Sequence, residues 1–111
     1  MTIMEFIKYL QNSNKRRIRE VIIKYVYPAV FHPESEGGFS VFFPDIQKGA
    51  TQGDTIAECI KMAEDFLCLA LYRMEEDKQQ IPEASNIRQV DVEMEDIVML
   101  ISVDTETYRR F

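Results

Sequence analysis

In 111 residues the chain has no tryptophan, one histidine, two cysteines and only four glycines and four prolines. Each scarcity removes a class of chemistry. The lone histidine, His32, has no cysteine or carboxylate at ligand spacing in the sequence, so no metal site is expected. It also leaves too little for a hydrolase triad, whose base must sit between a nucleophile and an orienting acid. The glycines, Gly37-Gly38 and Gly49…Gly53, match neither a P-loop nor a dinucleotide fingerprint. Cys59 and Cys68 fall in one predicted helix, which separates their Cα atoms by roughly 13 Å on opposite sides. A disulfide needs about 7 Å or less. Both are therefore expected as reduced thiols in small core positions, as in a cytosolic protein. No apolar run is long enough to cross a bilayer. Glu5 and Lys8 interrupt the apolar residues of the N-terminus, which speaks against a signal peptide. The expected location is cytoplasmic.

The hydrophobic fraction of 46% and charged fraction of 29% suit a globular chain, and the length suits one domain with a modest core. The net charge of −6 hides an asymmetry. Residues 1–30 hold six of the 13 basic groups (Lys8, Lys15, Arg16, Arg17, Arg19, Lys24) and two of the 19 acids (Glu5, Glu20). Seven basic groups, seventeen acids and a balance of −10 remain in residues 31–111. Nucleic-acid affinity comes largely from Lys and Arg neutralising phosphates, so this region should bind neither DNA nor RNA by itself. A basic protein would be drawn to it, and charge complementarity would speed and orient the encounter.

Ile3, Phe6, Ile7 and Leu10 are spaced for a brief amphipathic helix over residues 2–12. A polar break at Asn12-Ser13-Asn14 and the basic run Lys15-Arg16-Arg17 follow, the run reading as a solvated linker more readily than as a contact patch. Residues 21–31, rich in β-branched and aromatic side chains, read as a first strand. Pro28 lacks an N–H, which predicts an edge position or a bulge there. Residues 32–38 form a polar turn in which Gly37 and Gly38 can take positive φ, and residues 39–43 complete a hairpin. Pro44 and Asp45 end that strand, and residues 49–53 are a short third strand or turn. Thr55 with Glu58 is a capping box. It opens a helix whose Ile56, Cys59, Ile60, Ala63, Phe66, Leu67, Ala70, Leu71 and Met74 form one apolar stripe, ending near Asp77 to Gln80. Residues 81–85 read as an extended link, because Pro82 disfavours helix at Ile81. Val90 and Val92 alternate with polar residues as a ribbon. Ile97–Val103 is a near-continuous apolar run suited to a strand covered on both sides. The expected class is α+β: a two-layer β-β-β-α-β arrangement, one sheet with one helix on its face.

Among functional readings, an enzyme would have to be a divalent-metal nuclease, which needs acids converging on cations. Asp45 at a strand end and Asp54 before the helix are the pair that could approach. Glu58, Glu64, Asp65, Glu75, Glu76 and Asp77 belong to the solvated face of the helix. A transcriptional regulator acting through Lys15, Arg16 and Arg17 is a further alternative. Alternation turns Phe42 away from the helix-facing Phe39, Val41 and Phe43, and Met62, Leu69 and Tyr72 lie off the main helical stripe. A contiguous patch of such residues would mark a self-dimer or partner interface. The favoured reading is a binding module without catalytic residues or cofactor. In it Glu34, Glu36 and Asp45, with Phe42 as apolar anchor, meet a basic protein partner.

Several stretches together resemble the HicB family: Tyr27-Pro28-Ala29-Val30-Phe31, then Gly37-Gly38-Phe39-Ser40-Val41-Phe42-Phe43-Pro44-Asp45-Ile46, then Thr51-Gln52-Gly53-Asp54-Thr55. A helix carrying Ala63-Glu64-Asp65 and the link Ile81-Pro82-Glu83-Ala84-Ser85 continue the likeness, which runs from about residue 24 to residue 110. It implies an antitoxin of a toxin–antitoxin operon, with a cut-down ribonuclease H-like domain that lacks the nuclease carboxylates. It also implies a partner, HicA, a small basic mRNA-cleaving toxin whose active site the antitoxin blocks, and a homodimer or higher assembly is expected. Gly49-Ala50-Thr51 departs from the more usual Gly-Cys-x-Thr. Residues 1–20 form an extension outside the pattern, and residues 21–111 form the antitoxin domain. Many HicB proteins continue into a ribbon-helix-helix or helix-turn-helix domain, which would begin near residues 108–111. Operon repression is therefore not expected of residues 21–111.

Overall fold

The computed structural model describes residues 2–4, 24–46 and 49–106. Most of the expected N-terminal helix, the basic run at residues 15–17 and the C-terminal residues 107–111 lie outside them. The described chain forms β1 (Tyr25–Pro33), β2 (Phe39–Phe42), β3 (Thr51–Gly53), a long helix α1 (Ile56–Glu76), a 3-10 turn (Ile87–Gln89) and β4 (Ile97–Val103). The four strands make one antiparallel sheet in the order β3-β2-β1-β4. This is the expected α+β arrangement, with α1 across one face. No helix among the described residues is long and apolar enough to cross a membrane.

The β1–β2 turn closes through Glu34 N–H to the Gly38 carbonyl and Gly37 N–H to the Glu34 carbonyl, both 3.0 Å. Gly37 and Gly38 take φ of 101° and 74°, values that L side chains resist. Gly38 also has no room for a side chain, since a Cβ there would stand 2.6 Å from the Gly53 carbonyl oxygen. The turn thus presses directly on the end of β3.

At the start of α1, Thr55 Oγ1 accepts the Glu58 N–H at 3.1 Å. At its end, Lys78 N–H donates to the Glu75 carbonyl and Gln79 N–H to the Met74 carbonyl. Lys78 takes φ 55° in the position that glycine usually fills in this motif. The buried residues Cys59, Ala63, Leu67 and Leu71 recur every four positions. Each such step advances about 40° around the helix, so the buried line wraps and reaches Cys68 on the far side. α1 therefore crosses the sheet obliquely. The Cys59 thiol lies 3.8 Å from the Phe39 carbonyl at the start of β2, and the Cys68 thiol 3.4 Å from the Asp104 carbonyl beyond β4. Both cysteines are free and buried, and burial pushes both thiols up from the ordinary range. They are core residues, as expected.

Tyr27, Ala29 and Phe31 of β1 join Val41, Phe43, Ile101, Val103 and the buried line of α1 in one core. Phe43 and Phe66 stack with ring centroids 6.0 Å apart.

Three expectations are corrected. β1 is an interior strand, not an edge. Pro28 is tolerated because β2 pairs with β1 only from Val30 onward, so at Pro28 only β4 lies alongside. β4 is not covered on both sides: it ends the sheet, and Leu100 on its outer face is 55% exposed. The apolar run arises because Met99, Ile101 and Val103 face the helix while Val98 and Leu100 face away. Residues 90–92 form no ribbon. They follow the 3-10 turn, where Asn86 Oδ1 accepts the Arg88 N–H at 2.9 Å.

Candidate functional site

Sheet pairing decides which acids meet. Phe39 pairs with Gly53, so the β1–β2 turn and the start of α1 lie side by side. Glu34 and Glu36 from the turn and Asp54 and Glu58 from the helix entry line one groove with Phe39 and Gln52. The described lining includes no basic side chain. Such a groove favours an ammonium or guanidinium group, for which carboxylates are the strong acceptors. The helix N-terminus partly offsets the cost of gathering Asp54 and Glu58 there. Sequence reasoning named Glu34 and Glu36 as partner-binding residues, and both line this groove. It assigned Asp54 to a nuclease pair and Glu58 to the cap and solvated face, and only the β2–β3 register could have joined them to the turn.

Asp45 is elsewhere. Its Oδ2 accepts the Ser85 N–H at 2.9 Å and its Oδ1 accepts the Ser85 hydroxyl. Nearby, the Tyr27 hydroxyl donates to the Pro82 carbonyl. Burial, and secondarily the Asp45 charge, push the Tyr27 phenol up from its ordinary value. Asp45 thus fastens the link at residues 81–85 to the sheet. Because β2 and β3 run antiparallel, Asp45 and Asp54 lie beyond opposite ends of β2. The carboxylate pair on which a nuclease would depend does not form.

Phe42 sits on the outer face of the sheet, as alternation requires, and is 39% exposed. Val26 at 44% and Leu100 at 55% share that face, whereas Val30 between them is fully buried. Met62 is exposed on α1, on the other side of the sheet, so Met62 and Phe42 do not share one contiguous patch. Leu69 and Tyr72 are half-buried.

Beside Phe42, His32 meets two carboxylates that sequence spacing could not associate with it. Its Nδ1 lies 2.6 Å from Asp96 Oδ1 and 3.8 Å from Glu93 Oε2. Asp96 Oδ2 accepts the Glu93 N–H at 2.9 Å. The hydrogen bond to Asp96 raises the imidazole above its ordinary range, helped by the charges of Asp96, Glu93 and Glu34 and opposed by burial. The Glu93 N–H, followed by the His32 bond, lowers the Asp96 carboxyl. A raised histidine stabilises the fold fully below its unfolded pKa of about 6.5 and loses that contribution as pH rises through the folded value. A lowered aspartate contributes above about 3.9 and loses it as pH falls through the folded value. The pair should therefore stabilise most between about pH 4 and 6.5. Thermal unfolding in metal-free buffer checks this: wild type should lose stability relative to His32→Asn as pH rises from 6 towards 8. Parallel profiles would contradict it.

The family profile described as HicB-like antitoxin of bacterial toxin-antitoxin system matches residues 27–110. Antitoxin HicB 1 of Photorhabdus laumondii is 44% identical over 64 residues, covering 58% of this chain and 41% of the relative. Antitoxin HicB of Escherichia coli strain K12 is 40% identical over 65 residues, covering 59% and 47%. The chain thus spans less than half the length of these curated relatives. Among solved structures, a toxin–antitoxin complex from Streptococcus pneumoniae superposes with a TM-score of 0.70 at 23% identity, over 78% of this chain and 73% of that one. The antitoxin HicB of Burkholderia pseudomallei superposes at 0.63 and 20% identity, over 72% and 64%. A HicA3 and HicB3 toxin–antitoxin complex gives 0.58 and 24%, over 72% and 99%. These structural likenesses establish a shared fold. The profile match extends from the start of the buried β1 core past β4, and by it this chain belongs to the HicB-like antitoxin family.

Proposed function

We propose that residues 21–111 form an antitoxin domain that binds and masks a small basic mRNA-cleaving toxin of the HicA type. It acts by occlusion and carries no catalytic residue of its own. The observation that carries this reading is the groove in which Glu34, Glu36, Asp54 and Glu58 converge. Steered by the excess of acids in residues 31–111, a lysine or arginine of the toxin enters that groove. Phe42, on the outer face, serves as an apolar anchor for a second contact. Asp45 supports the fold at the opposite end of the sheet. The domain reads as a ribonuclease H-like sheet reduced to four strands. It works in the cytoplasm, holds no nucleic acid by itself, and uses the exposed Val26, Phe42 and Leu100 in assembly with a second copy. Residues 1–20 are an extension outside this function.

Co-expression with a small basic toxin of the HicA type tests the proposal. The two should co-purify as a stable complex, and growth arrest by the basic protein should be relieved. Failure of both would remove the antitoxin reading. RNA cleavage by the purified chain with magnesium, abolished by Asp54→Asn, would replace it with a nuclease.

A further inference from the structure

We propose that His32, Glu93 and Asp96 form a binding site for a divalent transition-metal ion of the zinc type. The three side chains each offer one donor atom, and these atoms all lie within 4.8 Å of one another. At zinc-ligand bond lengths of about 2.0–2.1 Å and tetrahedral angles, neighbouring donors stand about 3.3 Å apart. The two spacings at His32 Nδ1, 2.6 Å to Asp96 and 3.8 Å to Glu93, bracket that value. Small side-chain rotations bring both to it.

The donor set and its support point the same way. One imidazole nitrogen with two carboxylate oxygens suits zinc and its neighbours, whereas magnesium and calcium prefer oxygen alone. A His–Asp hydrogen bond needs only Asp96. Yet Glu93, with a side chain 79% exposed, also turns an oxygen towards the same nitrogen. The turn that carries both acids is closed on itself, by Asp96 N–H to the Glu93 carbonyl at 3.1 Å and Glu93 N–H to Asp96 Oδ2 at 2.9 Å. Such outer hydrogen bonds fix ligands before the ion arrives. The Asp96 side chain is 4% exposed, and His32 projects from an interior strand. The cleft on the open side is also lined by Ser40 and Asp91, leaving room for a water or a fourth ligand. Two carboxylates balance the charge of the cation. Once bound, the ion ties β1 to the turn that leads into β4, next to Phe42.

Calorimetric titration of the chelator-treated full chain with zinc chloride, under reducing conditions, tests the site. One zinc per chain should bind with micromolar affinity or tighter. Altering outer-shell partners of a metal typically costs 10- to 100-fold in affinity. Removal of a direct ligand should do at least as much, so His32→Ala and Glu93→Gln should each weaken binding by about 10-fold or more. Glu93 is exposed, so Glu93→Gln keeps the fold if His32→Ala does not. Glu64→Gln, at an exposed position on α1 across the sheet, should leave binding unchanged, and bound cobalt should show no thiolate charge-transfer band. Absence of saturable binding, survival of full affinity in Glu93→Gln, or a thiolate band overturns the proposal. None of these outcomes depends on the toxin partner.

Discussion

Replacing Glu34 and Glu36 by lysine should slow capture of a basic toxin by about tenfold or more and flatten its dependence on salt. Charge-lined clefts raise association rates by roughly 10- to 1,000-fold, an advantage that ionic strength removes. Both residues are exposed in the β1–β2 turn, so their exchange leaves the core untouched. The turn itself depends on backbone bonds of Glu34 and Gly37 and on the two glycines, none of which the new side chains disturb. Stopped-flow association at low and high salt gives the comparison. Asp45→Asn is the internal control: it loosens the Ser85 link but leaves the on-rate as it was. Equal rates for the lysine variant and wild type at low salt would remove the groove from recognition. Slowing by Asp45→Asn alone would move recognition to the other end of the sheet.

The second large effect concerns stability. Phe31 is fully buried in the core between α1 and the sheet, and Phe31→Ala should cost about 3–5 kcal/mol in urea unfolding. Domains of this size hold only about 5–15 kcal/mol in total, so this variant should stand near the limit of folding. Phe42→Ala removes the same atoms from the opposite face of the same sheet, where the ring is 39% exposed. It should cost roughly 1 kcal/mol or less and weaken toxin binding instead. Similar stability losses in the two variants would mean that the outer face is core, which would end its role as an anchor.

Signals confined to a few residues were legible in the sequence. Thr55 to Glu58, the apolar stripe of α1 and the paired glycines at 37–38 each specify a local conformation, and the structure adopts all three. Pro28 was misleading because a missing N–H reports one side of a strand, while β1 has a neighbour there on the other. Ile97–Val103 was misleading for a related reason. Apolar residues at both parities read as burial on both faces, yet only the side carrying Met99, Ile101 and Val103 meets the helix. The candidate sites were harder still. His32 lies 64 positions from Asp96, and no periodicity links a strand residue to a turn so distant. Asp54 and Glu58 joined Glu34 and Glu36 only through strand register, which a three-residue β3 hardly announces. Asp45 went to Ser85 because the link after α1 folds back across the sheet.

β4 closes one side of the sheet, and among the described residues no further strand lies beyond it. Its sequence, IVMLISV, has no proline or charge, the composition that invites stacking into fibrils. Asp96 and Asp104 stand just outside its two ends. Were two copies to meet antiparallel about Leu100, Asp96 of each would face Asp104 of the other, and facing like charges oppose such a ladder. Since Asp96 is already engaged by His32, Asp104 is the gatekeeper that would welcome a lysine or arginine at the end of a foreign strand. Charge thus opposes edge-to-edge stacking along β4 and leaves contact between copies to the outer face of the sheet.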